Sequence, residues 1–155
     1  AGPRLTMNPA RELVGLRTRT QRFDSTILRP DSANPLAALR AELVELRADF
    51  DAGESSEVTF TVRGVKISYS ARTQEITVND LRAPAPLRAG RQRLTIYCDR
   101  TGLEIFASDG LTYLPFPFTP RPDDLALNVA CLSGQVNFRT LEVHELKSIW
   151  PTPAP

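Results

Sequence analysis

The sequence predicts an all-β protein, a sandwich of two antiparallel sheets of jelly-roll or concanavalin-like form, on three observations. Apolar residues alternate with polar ones at period two in run after run, turn signals separate the runs, and thirteen prolines gather in clusters between them. Connections this short leave no room for crossover helices, so neighbouring strands must run antiparallel. A chain of 155 residues fits one domain and can bury about two-thirds of its unfolded surface, so it needs no metal or disulfide staple.

Taken in order, the first competition lies in "NPLAALRAELVEL". Leu36, Leu39, Leu43 and Leu46 have helical spacing, with Asn34 placed as a cap and Pro35 at the first helical position. From Val44 onward, however, the alternation is strict: Val44, Leu46, Ala48 and Phe50 oppose Glu45, Arg47, Asp49 and Asp51. The expectation is one short helical turn near 35–40, giving way to a strand from about Glu42. The same period continues through Val58, Phe60 and Val62, through Val65, Ile67 and Tyr69, through Ile76 and Val78, and through Leu94, Ile96 and Cys98. It resumes at Leu103 and Ile105, then at Leu125, Leu127, Val129 and Cys131, and ends at Leu141 and Val143. "DAGESS", "RTQE", "RTG", "SDG" and "SGQ" supply turns. Proline has no N–H for a sheet ladder, so Pro84, Pro86 and the run "PFPFTPRP" mark edges and connections. Tyr69 reads as core, and Trp150 is expected to close the sandwich. The tail at 152–155 reads as disordered.

Nineteen Lys and Arg against eighteen Asp and Glu leave a net charge of +1, too small a field to steer the chain to nucleic acid or anionic lipid. No apolar run approaches the ~20 residues of a membrane span, and "AGPRLTMNPARE" lacks the apolar core of a signal peptide. The chain therefore reads as soluble, and as a mature form or a piece of something longer. Cys98 and Cys131 fall at inward positions, as free buried thiols or as a disulfide. With His144 as the single histidine, a four-ligand zinc site is not expected, nor any cofactor.

The candidate site lies in "CDRTGLEIFASDG". With Leu94, Ile96 and Cys98 inward, Tyr97 and Asp99 point outward; with Leu103 and Ile105 inward, so do Glu104 and Phe106. If "DRTG" is the hairpin turn, Tyr97, Asp99, Glu104 and Phe106 share one patch with Arg100 at its rim and Asp109 nearby. Carboxylates accept from vicinal hydroxyls, a guanidinium donates in a fixed fork, and an aromatic ring covers the apolar side of a sugar. That chemistry suits a polyol; a plain salt-bridged hairpin, with Phe106 covered by a neighbouring element, is the competing reading. Nothing fixes the Asp99–Glu104 separation that an acid/base pair would need. His144, alternating with Val143, is expected to face solvent and so to take no part in a Ser–His–Asp arrangement.

"IYCDRTGLEIFASDGLTYLP", followed by "LEVHELKSIWP", resembles the C-terminal β-sandwich module of glycoside hydrolase family 32, the invertases, inulinases and levanases. The matching positions are Asp99, Arg100 and Thr101, then Glu104, then Asp109 and Gly110, and the closing Leu146, Lys147, Ser148 and Trp150. "MNPARELVGLR" resembles the segment leading from the family's catalytic propeller. The resemblance implies a lead-in at 1–17, a sandwich at 18–151 and no catalytic residue, since the family's nucleophile and acid motifs are absent. The similar levan-binding module, carbohydrate-binding module family 66, implies binding of terminal fructose by Asp99, Arg100, Glu104, Tyr97, Phe106 and Asp109. The alternative it implies is a structural domain that supports the propeller. Fructan, the propeller and a second copy are thus the expected partners, the last through Pro115–Pro122 or Met7–Arg17, in a secreted or periplasmic protein.

Overall fold

A computed structural model describes residues 2–150; the tail expected at 152–155 lies outside the described residues. The strands are β1 (Arg17–Leu28), β2 (Val44–Ala52), β3 (Glu57–Val62), β4 (Val65–Ser70), β5 (Glu75–Val78), β6 (Leu81–Pro84), β7 (Arg91–Cys98), β8 (Gly102–Ala107), β9 (Thr112–Pro117), β10 (Leu127–Ser133) and β11 (Val136–Leu146). They form two sheets, in the orders β1-β11-β2-β7-β8-β9 and β10-β3-β4-β5-β6. All neighbours are antiparallel. The fold class is the one the alternation predicts.

Between the sheets Phe50, Phe60, Tyr69 and Phe138 interlock, with ring centroids 5.3 to 6.3 Å apart, the separation at which tilted and edge-on pairs gain beyond area burial. Cys98 and Cys131 are both free and buried. Burial pushes the Cys98 thiol up to about 12, so it stays protonated and unreactive at neutral pH.

The segment after Asn34 makes tight turns over 35–38 rather than a helix. Asn34 does act as a cap: its Oδ1 accepts from Leu36 N at 3.0 Å and from Val129 N at 3.0 Å. Helical geometry appears instead as a 3₁₀ segment at Arg11–Leu16, while Ser108–Gly110 forms a tight turn in which all three residues have positive φ. β1, β6 and β9 had no clean alternation to announce them. Each is an edge strand, where one neighbour is missing and burial is too partial to impose a strict period.

The N-terminal segment is fastened at both ends of the six-stranded sheet. Met7 N donates to Gly110 O at 2.8 Å, beyond the end of β8, and Lys147 N donates to Leu16 O at 2.9 Å, at the opposite end of the strands. A strap therefore runs along the sheet between these two points.

Candidate functional site

Antiparallel register lines up outward residues in rows across the larger sheet. One row reads Thr20, His144, Glu45, Tyr97, Glu104 and Pro115, and the next reads Arg22, Glu142, Arg47, Thr95, Phe106 and Tyr113. The predicted patch occupies the β7–β8–β9 part of these rows. Phe106 lies edge-on to Tyr97 at 6.3 Å and tilted against Tyr113 at 5.1 Å. The Tyr113 hydroxyl donates to Glu104 Oε1 at 2.8 Å.

The hairpin turn falls at Asp99–Thr101, as "DRTG" implies. Asp99 Oδ1 accepts from Thr101 N (2.7 Å), Thr101 Oγ1 (2.7 Å) and Gly102 N (3.1 Å), a turn held by its own side chain. Arg100 Nε donates to Glu42 Oε1 at 2.7 Å, and that hydrogen bond holds the Glu42 carboxyl below its usual range against the opposing effect of burial. Glu42 is itself fixed through its backbone. The buried Arg63 donates to Glu42 O, Arg121 O and Asp124 O at 2.6 to 2.7 Å.

Beside the turn lies a groove of about 770 Å³ whose lining includes Tyr97, Asp99, Arg100 and Glu104, within the size range of ligand pockets. Leu13 and Leu16 of the strap, Phe116 of β9, and Lys147 and Trp150 beyond β11 complete it. Asp99, Arg100 and Glu104 thus share a groove but bond to separate partners rather than to each other. Phe106 is not among the groove's lining residues; it packs against Tyr97, which is, and against Tyr113, which is not. Asp109 stands at the far end of β8, where Arg93 Nη1 donates to it at 2.7 Å.

Two expectations are corrected here. Trp150 does not close the sandwich: it is 74% exposed and lines the groove, because β11 ends at Leu146 and Ser148 Oγ then bonds Trp150 N at 3.1 Å in a local turn. His144 points to the outer face but is only 3% exposed. It is packed against Thr20, whose Oγ1 lies 2.8 Å from Nδ1, and Glu142, 3.1 Å from Nε2. Burial and the charge of Arg17 hold its pKa below the ordinary value, against the pull of Glu45 and Glu142.

Glu45, beside it in the row, is 1% exposed and takes Arg17 in a two-point fork at 2.7 and 2.6 Å. Burial disfavours its charge, but the Arg17 bonds and charge prevail and its pKa is lowered. Burial, and then Glu45's charge, hold the Tyr97 hydroxyl protonated well above its usual range. Glu42 and the Arg17–Glu45 pair had no local signal in the sequence, since their partners lie far along the chain. Among the described residues no cluster of His, Cys, Asp and Glu is arranged to hold a metal, and no helix is long and apolar enough to cross a membrane.

Comparison with known proteins bears on the same span. The family model "Glycosyl hydrolases family 32 C terminal" matches residues 12–145. A levanase of Bacillus subtilis (strain 168) is 28% identical over 174 aligned positions, covering 97% of this chain and 26% of the levanase. Among solved structures, an exo-inulinase from Aspergillus awamori superposes with a TM-score of 0.73 at 16% identity, over 94% of this chain and 33% of that one. Fructan 1-exohydrolase IIa from Cichorium intybus gives 0.71 at 14% identity, over 95% and 39%. The chain spans about a quarter of the levanase and a third to two-fifths of these two enzymes. With the family model matching most of its length, the chain belongs to the C-terminal domain family of the family 32 glycosyl hydrolases.

Proposed function

We propose that this chain is the non-catalytic sandwich module of a fructan-degrading hydrolase, and that its hairpin groove binds terminal fructosyl units of levan- or inulin-type fructans. The observation that carries the reading is the convergence of Asp99, Arg100, Glu104 and Tyr97 on one groove. Asp99 Oδ1 and Glu104 Oε1 are occupied internally, which fixes both carboxylates and leaves a second oxygen on each to accept sugar hydroxyls. Phe106, packed between Tyr97 and Tyr113, supports the aromatic part of the wall. Catalysis is assigned to the part of the longer relatives that this chain does not span. A polymeric fructan places such a module outside the cytoplasm.

Titration calorimetry with levan and inulin tests the reading. Charge-assisted contacts to a carboxylate are worth roughly 1.5–3 kcal/mol, so Glu104→Ala should weaken binding about tenfold or more. Heat from the unmodified chain that Glu104→Ala leaves unchanged, or no heat at millimolar fructoside, refutes it.

A second reading, structural support, is favoured by a separate observation. Leu13 and Leu16 line the groove, and Val14, Ile149 and Trp150 near it are 53%, 70% and 74% exposed. Apolar surface of this kind marks an interface with the rest of a longer hydrolase or with a second copy. Sedimentation at high concentration separates these: a dimer indicates self-covering, a strict monomer leaves the missing domain as the cover.

A further inference from the structure

We propose that the groove holds more than the terminal sugar: Phe116, Lys147 and Trp150 form a second subsite for the next fructosyl unit, so the ligand recognised is a neutral oligosaccharide chain. The inference rests on the fructosyl-binding reading and extends it. Three observations support it.

The first is size. The groove's volume of about 770 Å³ lies toward the upper end of the range that encloses a drug-sized molecule, and far exceeds what a single six-carbon sugar fills. The second is charge. Its charged lining residues are Asp99, Glu104, Arg100 and Lys147, two of each sign, so the groove as a whole selects neither anion nor cation. Asp99 Oδ2, Glu104 Oε2, the terminal nitrogens of Arg100 and the Lys147 ammonium make no side-chain hydrogen bond among the described residues. Only a ligand rich in both donors and acceptors satisfies such a set. The third is the indole. Trp150 is three-quarters exposed although its backbone is pinned by Ser148, and Phe116 stacks on Phe118 with centroids 5.8 Å apart. An open indole face is the element that covers the apolar side of a sugar ring, and this one is carried by the segment beyond β11 rather than by the hairpin.

The experiment is a calorimetric series on the full chain with fructose, fructose 6-phosphate, levantriose and inulotriose, repeated on Trp150→Ala and Glu104→Ala, with melting temperature as the check on folding. The expected result is a trisaccharide bound about tenfold or more tightly than fructose by the unmodified chain. Trp150→Ala should abolish that gain, bringing the trisaccharides down to the affinity of fructose for the same variant, and Glu104→Ala should weaken every ligand. If the trisaccharides bind no better than fructose, or the gain survives in Trp150→Ala, the second subsite is refuted while the terminal site stands. If no fructoside binds, both readings fall. If fructose 6-phosphate binds several-fold more tightly than fructose, the neutral-ligand assignment is overturned.

Discussion

At the scale of single residues, Glu45 shows what an outward position on a sheet can conceal. Its carboxylate is buried and is held chiefly by the two-point Arg17 fork, with Arg47 farther off at 4.0 Å, so Arg17→Ala removes its main partner and leaves a charge poorly paired away from water. Such a loss costs about 3 kcal/mol, and chemical denaturation should show it as a lowered midpoint. His144 and Glu45 act with the same sign in pH. A lowered histidine pKa means that the unfolded chain takes the proton first, so this contribution is complete above the unfolded value of about 6.5 and is lost as pH falls through the folded one. Glu45, also lowered, adds a loss farther down, as pH drops through its folded value. Melting temperature should therefore be level above neutrality and decline on acidification, and His144→Gln should flatten the part of the decline that begins below about pH 6.5. In the core, the Tyr69 hydroxyl is buried without a hydrogen-bond partner among the described residues. Burying a hydroxyl unpaired costs about 1–3 kcal/mol, so Tyr69→Phe is expected to raise stability by about 1 kcal/mol.

At the scale of elements, the strap and the strands differ in how they are specified. Gly110 has φ +86°, and a Cβ there would stand 2.8 Å from both Met7 O and Asn8 Oδ1. Gly110→Ala thus strains the backbone and pushes the strap off its anchor, at a cost of about 1–3 kcal/mol. Limited proteolysis should then cut ahead of Leu16 faster than in the unmodified chain; equal rates would remove the strap's dependence on this contact. The central strands were legible from the sequence because both of their neighbours and the opposite sheet enforce the period: Val44, Leu46, Ala48 and Phe50 are all buried. The hairpin turn was legible for a local reason, since Asp99, Thr101 and Gly102 carry its chemistry within four residues. β1 was not, because a single neighbour and a half-exposed surface tolerate "RTRTQRFDSTIL". Nor were Glu42 behind Arg100, Arg17 on Glu45, or the placing of Trp150 on the groove. Each depends on a partner far along the chain, and sequence spacing holds no record of that.

At the scale of the whole molecule, the reading of this chain as a non-catalytic module predicts that it should release no reducing sugar from sucrose, inulin or levan. Turnover near 1 s⁻¹, ordinary for an enzyme, would recast Asp99 and Glu104 as reacting groups. The strand order of the larger sheet has a consequence of another kind. β1 bonds only to β11, and β11 is wedged between β1 and β2, so the opening strand of this domain has no place until its closing strand exists. During synthesis on the ribosome, roughly a hundred residues must emerge while β1 waits and one side of β2 stays open, which is the long-range pairing that slows folding and invites aggregation. A stop codon ahead of Val136 would leave two ladders unformed, β1–β11 and β11–β2, and such a nascent chain should depend on chaperones in a way that one cut after Leu146 does not.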